Sequence, residues 1–158
     1  MAEAPDTGQF QLDLDVRLSA DDRYDAAVDL EASDPAGASA AYREALILDP
    51  GHAEAHLNLG RLLHEQGILD EAEAHYRAAV AADPANARAL YNLGVALEDR
   101  GSAAEAVGAY EAALGMDPDL AAAHFNLSRL HEATGRRADA LGHLAAYKRI
   151  LDRGSPDA

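Results

Sequence analysis

The sequence predicts an all-α solenoid of stacked helix–turn–helix repeats, and three observations predict it. Asp-Pro recurs at Asp49-Pro50, Asp83-Pro84 and Asp117-Pro118, a period of 34 residues. A fixed period in this range marks a repeat array. Other columns keep that period: Asn58-Leu59-Gly60, Asn92-Leu93-Gly94 and Asn126-Leu127-Ser128; then Gly67, Gly101 and Gly135; then Ala72, Ala106 and Ala140; then Tyr76, Tyr110 and Leu144. Alanine makes up about a quarter of the 158 residues and aromatics only 5%, with no Trp. That composition favours closely packed helices over a β-sandwich.

Residues 1–18 precede the period. From Gln9 to Leu18 they alternate, with Phe10, Leu12, Leu14, Val16 and Leu18 apolar and Gln11, Asp13, Asp15 and Arg17 polar. That is a strand period. A lone strand is not stable, so four roles are open. The segment pairs with a copy of itself, lies extended on the solenoid, belongs to something upstream, or is a disordered tail whose alternation is accidental.

Unit one, residues 19–52, is atypical in its first half. Asp25-Ala26 stands where the other units have Leu-Gly, and its turn, Ser33-Asp34-Pro35, lacks glycine. Asp34 is suited to cap the next helix with Pro35 at its first position. Units two and three, residues 53–86 and 87–120, fit best. Leu59, Leu62 and Leu63, then Tyr76, Ala79 and Val80, follow helical spacing, so each helix has one apolar face. Gly67, Gly101 and Gly135 fall where the first helix must end in a left-handed residue. Pro50, Pro84 and Pro118 stop the second helix. Gly60 and Gly94, expected opposite Ala72 and Ala106, let the two helices approach closely. A bulky side chain there would overpack the contact at a cost of about 1–3 kcal/mol.

Unit four, residues 121–152, carries Tyr147 where Ala45, Ala79 and Ala113 stand, and Asp152 where the proline would be. A small residue is needed only where another unit presses close, and terminal repeats are atypical. The array is therefore expected to end near Asp152, with residues 153–158 as a frayed tail.

From Ser19 to Asp152 these columns resemble the tetratricopeptide repeat. The resemblance implies four units stacked in a right-handed superhelix. It also implies that the first helix of each unit lines a concave groove, where partner proteins, often as extended segments, bind. On that reading the groove rows are Asn58, Asn92 and Asn126; Leu57, Tyr91 and Phe125; Arg61, Val95 and Arg129; and Glu54, Arg88 and Ala122, with Arg61, Arg88 and Arg129 as local positive charges. His64, Glu98 and Glu132 lie further along. An asparagine side chain both donates and accepts, so the row suits the backbone of an extended segment. The apolar row offers contact area, and the arginines suit a carboxylate. The asparagines have an alternative use within the fold, bonding between helices. The carboxylate clamp of some family members is not expected, because Ala27 and Asn92 occupy slots that need Asn and a basic residue.

Composition excludes other classes. Without Cys there is no disulfide framework, thiolate nucleophile or Cys-ligated metal. At a formal charge of −15 the chain is a poor binder of nucleic acid. The start, MAEAPDTGQFQ, lacks the basic and apolar regions of a secretory signal. No apolar run approaches the roughly 18 residues of a membrane span. A cytoplasmic protein is expected, and the Ala/Arg/Asp-rich, nearly lysine-free composition points to a bacterial source. No HExxH, phosphate loop or nucleophile elbow occurs, so neither enzymatic activity nor a cofactor or metal is expected. His52 and His56 are expected to be separated by an unstructured turn, with His56 and His124 serving packing.

Two rival functions stay open. Residues 1–34 carry a charge of −8 and residues 136–153 one of +3, and the last helix offers Leu141, Leu144, Tyr147, Ile150 and Leu151. These features suit head-to-tail self-association into a homo-oligomer. An acidic start followed by four such units is also similar in arrangement to the C-terminal part of some bacterial helix-turn-helix transcription regulators.

Overall fold

The computed structural model describes residues 18–154. The alternating segment, apart from Leu18, and residues 155–158 lie outside that range. Among the described residues eight helices follow one another: α1 (Ala20–Leu30), α2 (Pro35–Leu48), α3 (Ala53–Glu65), α4 (Leu69–Ala82), α5 (Ala87–Asp99), α6 (Ala103–Met116), α7 (Ala121–Ala133) and α8 (Arg137–Gly154). No strand occurs among the described residues. Each odd helix packs antiparallel on the next even one, and each even helix packs on the unit that follows. In addition, α3 reaches past α4 to touch α5. The result is an α-solenoid, stabilised by contacts within units and between neighbours.

Local chemistry sets the boundaries. Ser19 caps α1 in a reciprocal capping box with Asp22. Asp34 caps α2 by accepting from the Gly37 amide at 3.0 Å, with Pro35 in the first turn. Gly67, Gly101 and Gly135 have φ of +77°, +81° and +75° and end α3, α5 and α7, the left-handed position that L side chains resist. Helices α2, α4 and α6 end at the Asp of each Asp-Pro. There Asp49, Asp83 and Asp117 accept from the amide two residues on, at 2.9, 3.2 and 3.1 Å. Two boundaries differ from expectation. Helix α8 runs to Gly154, past Asp152. His52 and His56 are not separated by an unstructured turn: His52 caps α3, its Nδ1 accepting from the Ala55 amide at 3.1 Å.

The core is a line of tyrosines between alanine-rich surfaces. Tyr42, Tyr76 and Tyr110 are buried, together with Leu57, Leu59, Leu63 and Leu127. A Cβ on Gly60 would meet the Tyr76 ring at 2.9 Å, and one on Gly94 the Tyr110 ring at 2.6 Å. The close approach expected against Ala72 and Ala106 is therefore made chiefly against the tyrosine of the following helix. Unit four has Ser128 and Leu144 in place of this glycine–tyrosine pair.

Candidate functional site

The face built by α1, α3, α5 and α7 carries the residues singled out in the sequence, but the structure divides them. Asn58 donates its amide to the hydroxyls of Tyr42 at 3.1 Å and Tyr24 at 3.2 Å. Asn126 does the same to Tyr110 at 3.1 Å and Tyr91 at 3.4 Å. Both therefore tie one unit to the next. The Asn92 side chain has no hydrogen-bond partner among the described residues and lines an open cavity.

The arginines divide as well. Arg61 pairs with Glu31 and, at 2.7 Å, with Glu65. Arg129 pairs with Glu98. The Tyr42 hydroxyl donates to Glu31 at 2.5 Å, and the Tyr110 hydroxyl to Glu98 at 3.1 Å. Burial first, and then these carboxylates, push both tyrosine hydroxyls above their ordinary range. Arg88 is exposed and has no ion pair among the described residues.

The apolar row is uneven. Leu57 is only 1% exposed, so it belongs to the core and offers a partner no surface, contrary to the sequence reading. Tyr91 is half-buried beside Tyr110, with ring centroids 5.5 Å apart. Phe125 is 46% exposed and lies 5.4 Å from the Tyr147 ring.

Sequence reasoning missed Tyr24, Tyr42 and Glu31 as members of these clusters. The signal was present: the first turn is one residue shorter. Glu31 precedes Tyr42 by 11 residues, whereas Glu98 precedes Tyr110 by 12. With that shift Tyr24 joins the row of Leu57, Tyr91 and Phe125, and Glu31 joins the row of His64, Glu98 and Glu132.

A cavity of about 320 Å³ opens between units two and three, lined by Arg61, His64, Glu65, Tyr76, Tyr91, Asn92 and Val95. His64 Nε2 is 2.6 Å from Asp99 Oδ2, and the imidazole stands edge-on to the Tyr76 ring. Burial pushes the Tyr76 hydroxyl up to about 12.

Four of the histidines form two matching pairs away from this row. The Nδ1 atoms of His56 and His75 are 2.9 Å apart, and so are those of His124 and His143. His56 Nε2 lies 3.0 Å from the Pro50 carbonyl, as His124 Nε2 does from that of Pro118. A carbonyl only accepts, so Nε2 carries the proton and the neutral ring's Nδ1 must accept. His75 and His143 then donate from Nδ1. Among the described residues no group of three or more His, Asp or Glu is placed to hold a metal ion, and no helix is long and apolar enough to cross a membrane.

Comparison with known proteins agrees with this architecture. The family model for the tetratricopeptide repeat matches residues 26–87, 69–121 and 91–158. No curated protein matches the chain by sequence. Among solved structures, a crystal structure of MamA is similar with a TM-score of 0.82 at 20% identity, over 92% of this chain and 85% of that one. MamA from Desulfovibrio magneticus RS-1 has a TM-score of 0.77 at 24% identity, over 89% and 79%. PilF of Pseudomonas aeruginosa has a TM-score of 0.79 at 24% identity, over 84% of this chain and 61% of that one. At these identities the likeness concerns the fold.

Proposed function

The chain belongs to the tetratricopeptide repeat family, and from that premise we propose that it is a non-enzymatic scaffold holding an extended segment of a partner protein along its odd-numbered helices. The observation that carries this reading is the division of that face. Asn58, Asn126, Arg61 and Arg129 are engaged within the fold, while Arg88, Asn92 and Phe125 remain accessible on α5 and α7. They offer a cation, an amide that donates and accepts, and an aromatic ring on two odd-numbered helices. Such a set suits the backbone and side chains of an extended segment.

The test is capture from lysate of the source cell. Wild type is compared with Arg88→Ala/Asn92→Ala/Phe125→Ala, whose side chains make none of the bonds between units described above. Loss of a captured protein with the folded variant supports the groove. An unchanged captured set sinks the reading.

Head-to-tail self-association is a second reading, favoured by the two ends. Leu141 on α8 is 59% exposed, beside the basic residues Arg137, Lys148 and Arg149. At the other end Ile47 is 78% and Leu48 53% exposed, near the acidic α1. Mass that rises with concentration in sedimentation would support it. A constant monomer mass would rule it out.

A further inference from the structure

Of the three joins between units, two are closed by a polar cluster and one is not. Units one and two are joined through Glu31, Tyr42, Asn58, Arg61 and Tyr24, and units three and four through Glu98, Tyr110, Asn126, Arg129 and Tyr91. In each closed join an arginine from the later unit crosses to a glutamate of the earlier one. At the middle join His64 occupies the glutamate slot, Val95 the arginine slot and Leu57 the tyrosine slot. Tyr76 is 1% exposed, yet its hydroxyl has no hydrogen-bond partner among the described residues. Asn92 has none either. The cavity of about 320 Å³ opens beside Val95, the short side chain in the arginine slot, and is lined by His64 as well.

We infer that this cavity receives a guanidinium side chain from the partner segment, an inference that rests on the groove reading. Three properties carry it. The first is shape: valine is several atoms shorter than arginine, and the vacated slot is the one that arginine fills in the two neighbouring joins. The second is charge. Around the cavity Arg61 is held by Glu31 and Glu65, and His64 by Asp99, so three carboxylates stand against one guanidinium on a chain of −15. A ligand carboxylate would meet like charge there. The third is bonding. The Tyr76 oxygen and the Asn92 carbonyl oxygen accept hydrogen bonds, and the ring of the half-buried Tyr91 attracts cations. A guanidinium fork matches several acceptors at once, which a lysine ammonium does less well.

The test uses the full chain and acetyl-Gly-Ser-Xaa-Ser-Gly amide peptides with Arg, Leu or Glu at Xaa. NMR titration follows the Asn92 side-chain amide and the Val95 backbone amide. The Arg peptide is expected to move both signals and to bind roughly tenfold tighter than either other peptide, the scale of one cation–π contact plus one charge-assisted hydrogen bond. The variant His64→Glu/Val95→Arg supplies the missing pair from within and is expected to abolish the response. Should that variant fold poorly, Asn92→Ala decides, with weaker Arg-peptide binding expected. Equal or tighter binding of the Glu or Leu peptide, or full binding to the folded double variant, overturns the assignment. Capture from lysate that still depends on Arg88, Asn92 and Phe125 would then leave the groove standing without an arginine pocket. Capture that does not depend on them would remove the groove itself.

Discussion

Asn58 donates to the Tyr42 hydroxyl at 3.1 Å, and through it to the cluster that holds Glu31 and Arg61. Tyr42 is thus both a buried ring and a polar hinge between units. Tyr42→Phe leaves the Asn58 amide and a Glu31 oxygen short of a partner, and is expected to cost roughly 1–3 kcal/mol. Tyr76→Phe removes a hydroxyl with no partner among the described residues, and should stay within about 0.5 kcal/mol of wild type. Urea unfolding of the two variants checks this. Equal costs would mean that the Tyr42 bonds do not hold the join.

Two glycines on adjacent helices should respond in opposite directions. A Cβ on Gly94 in α5 would sit 2.6 Å from the Tyr110 ring, whereas one on Gly108 in α6 meets nothing within 4 Å. Gly94→Ala is expected to destabilise by about 1–3 kcal/mol through overpacking. Gly108→Ala is expected to stabilise by about 0.5–1 kcal/mol, because glycine is a poor helix residue. Melting temperatures that shift the same way would contradict the packing described for α5 and α6.

The histidine pairs should make stability depend on pH. Burial first, and then the facing His56 imidazole and Arg43, hold His75 below the ordinary histidine range, against the opposing pull of Glu71. For His143 the causes are burial, then His124 and His131, against Glu111 and Asp139. A histidine depressed in the folded state takes up its proton first in the unfolded chain. The associated stability is complete above the unfolded value of about 6.5 and is lost as pH falls from there through the folded values. Thermal unfolding between about pH 5 and 7 should show this decline, and His75→Gln/His143→Gln should flatten it. A decline of the same steepness in the variant would assign it to other groups.

The repeat was legible because each of its marks is local. A left-handed glycine, an Asp-Pro stop and an apolar helical face each leave a residue type at a fixed spacing, so Gly67, Pro50 and Leu59 announced their roles. The site was only half legible. Stacking the units on a strict 34-residue period put Ala27 in the wrong row, because the first turn is one residue shorter and carries Glu31 and Tyr24 out of register. Nor does spacing tell that Gly94 presses on Tyr110, which depends on how α5 and α6 cross. The asparagine row looked uniform because identical residues were compared without their partners. Its division follows the slot that Glu31 and Glu98 fill in the two closed joins and His64 fills in the middle one.

That division is tested most directly by three single variants, Asn58→Ala, Asn92→Ala and Asn126→Ala, unfolded in urea side by side. Asn58→Ala and Asn126→Ala should each lose about 1–2 kcal/mol, the cost of freeing two tyrosine hydroxyls from their amide, while Asn92→Ala should match wild type within about 0.5 kcal/mol. Three equal losses would place all three asparagines in the fold and contradict the division of the row.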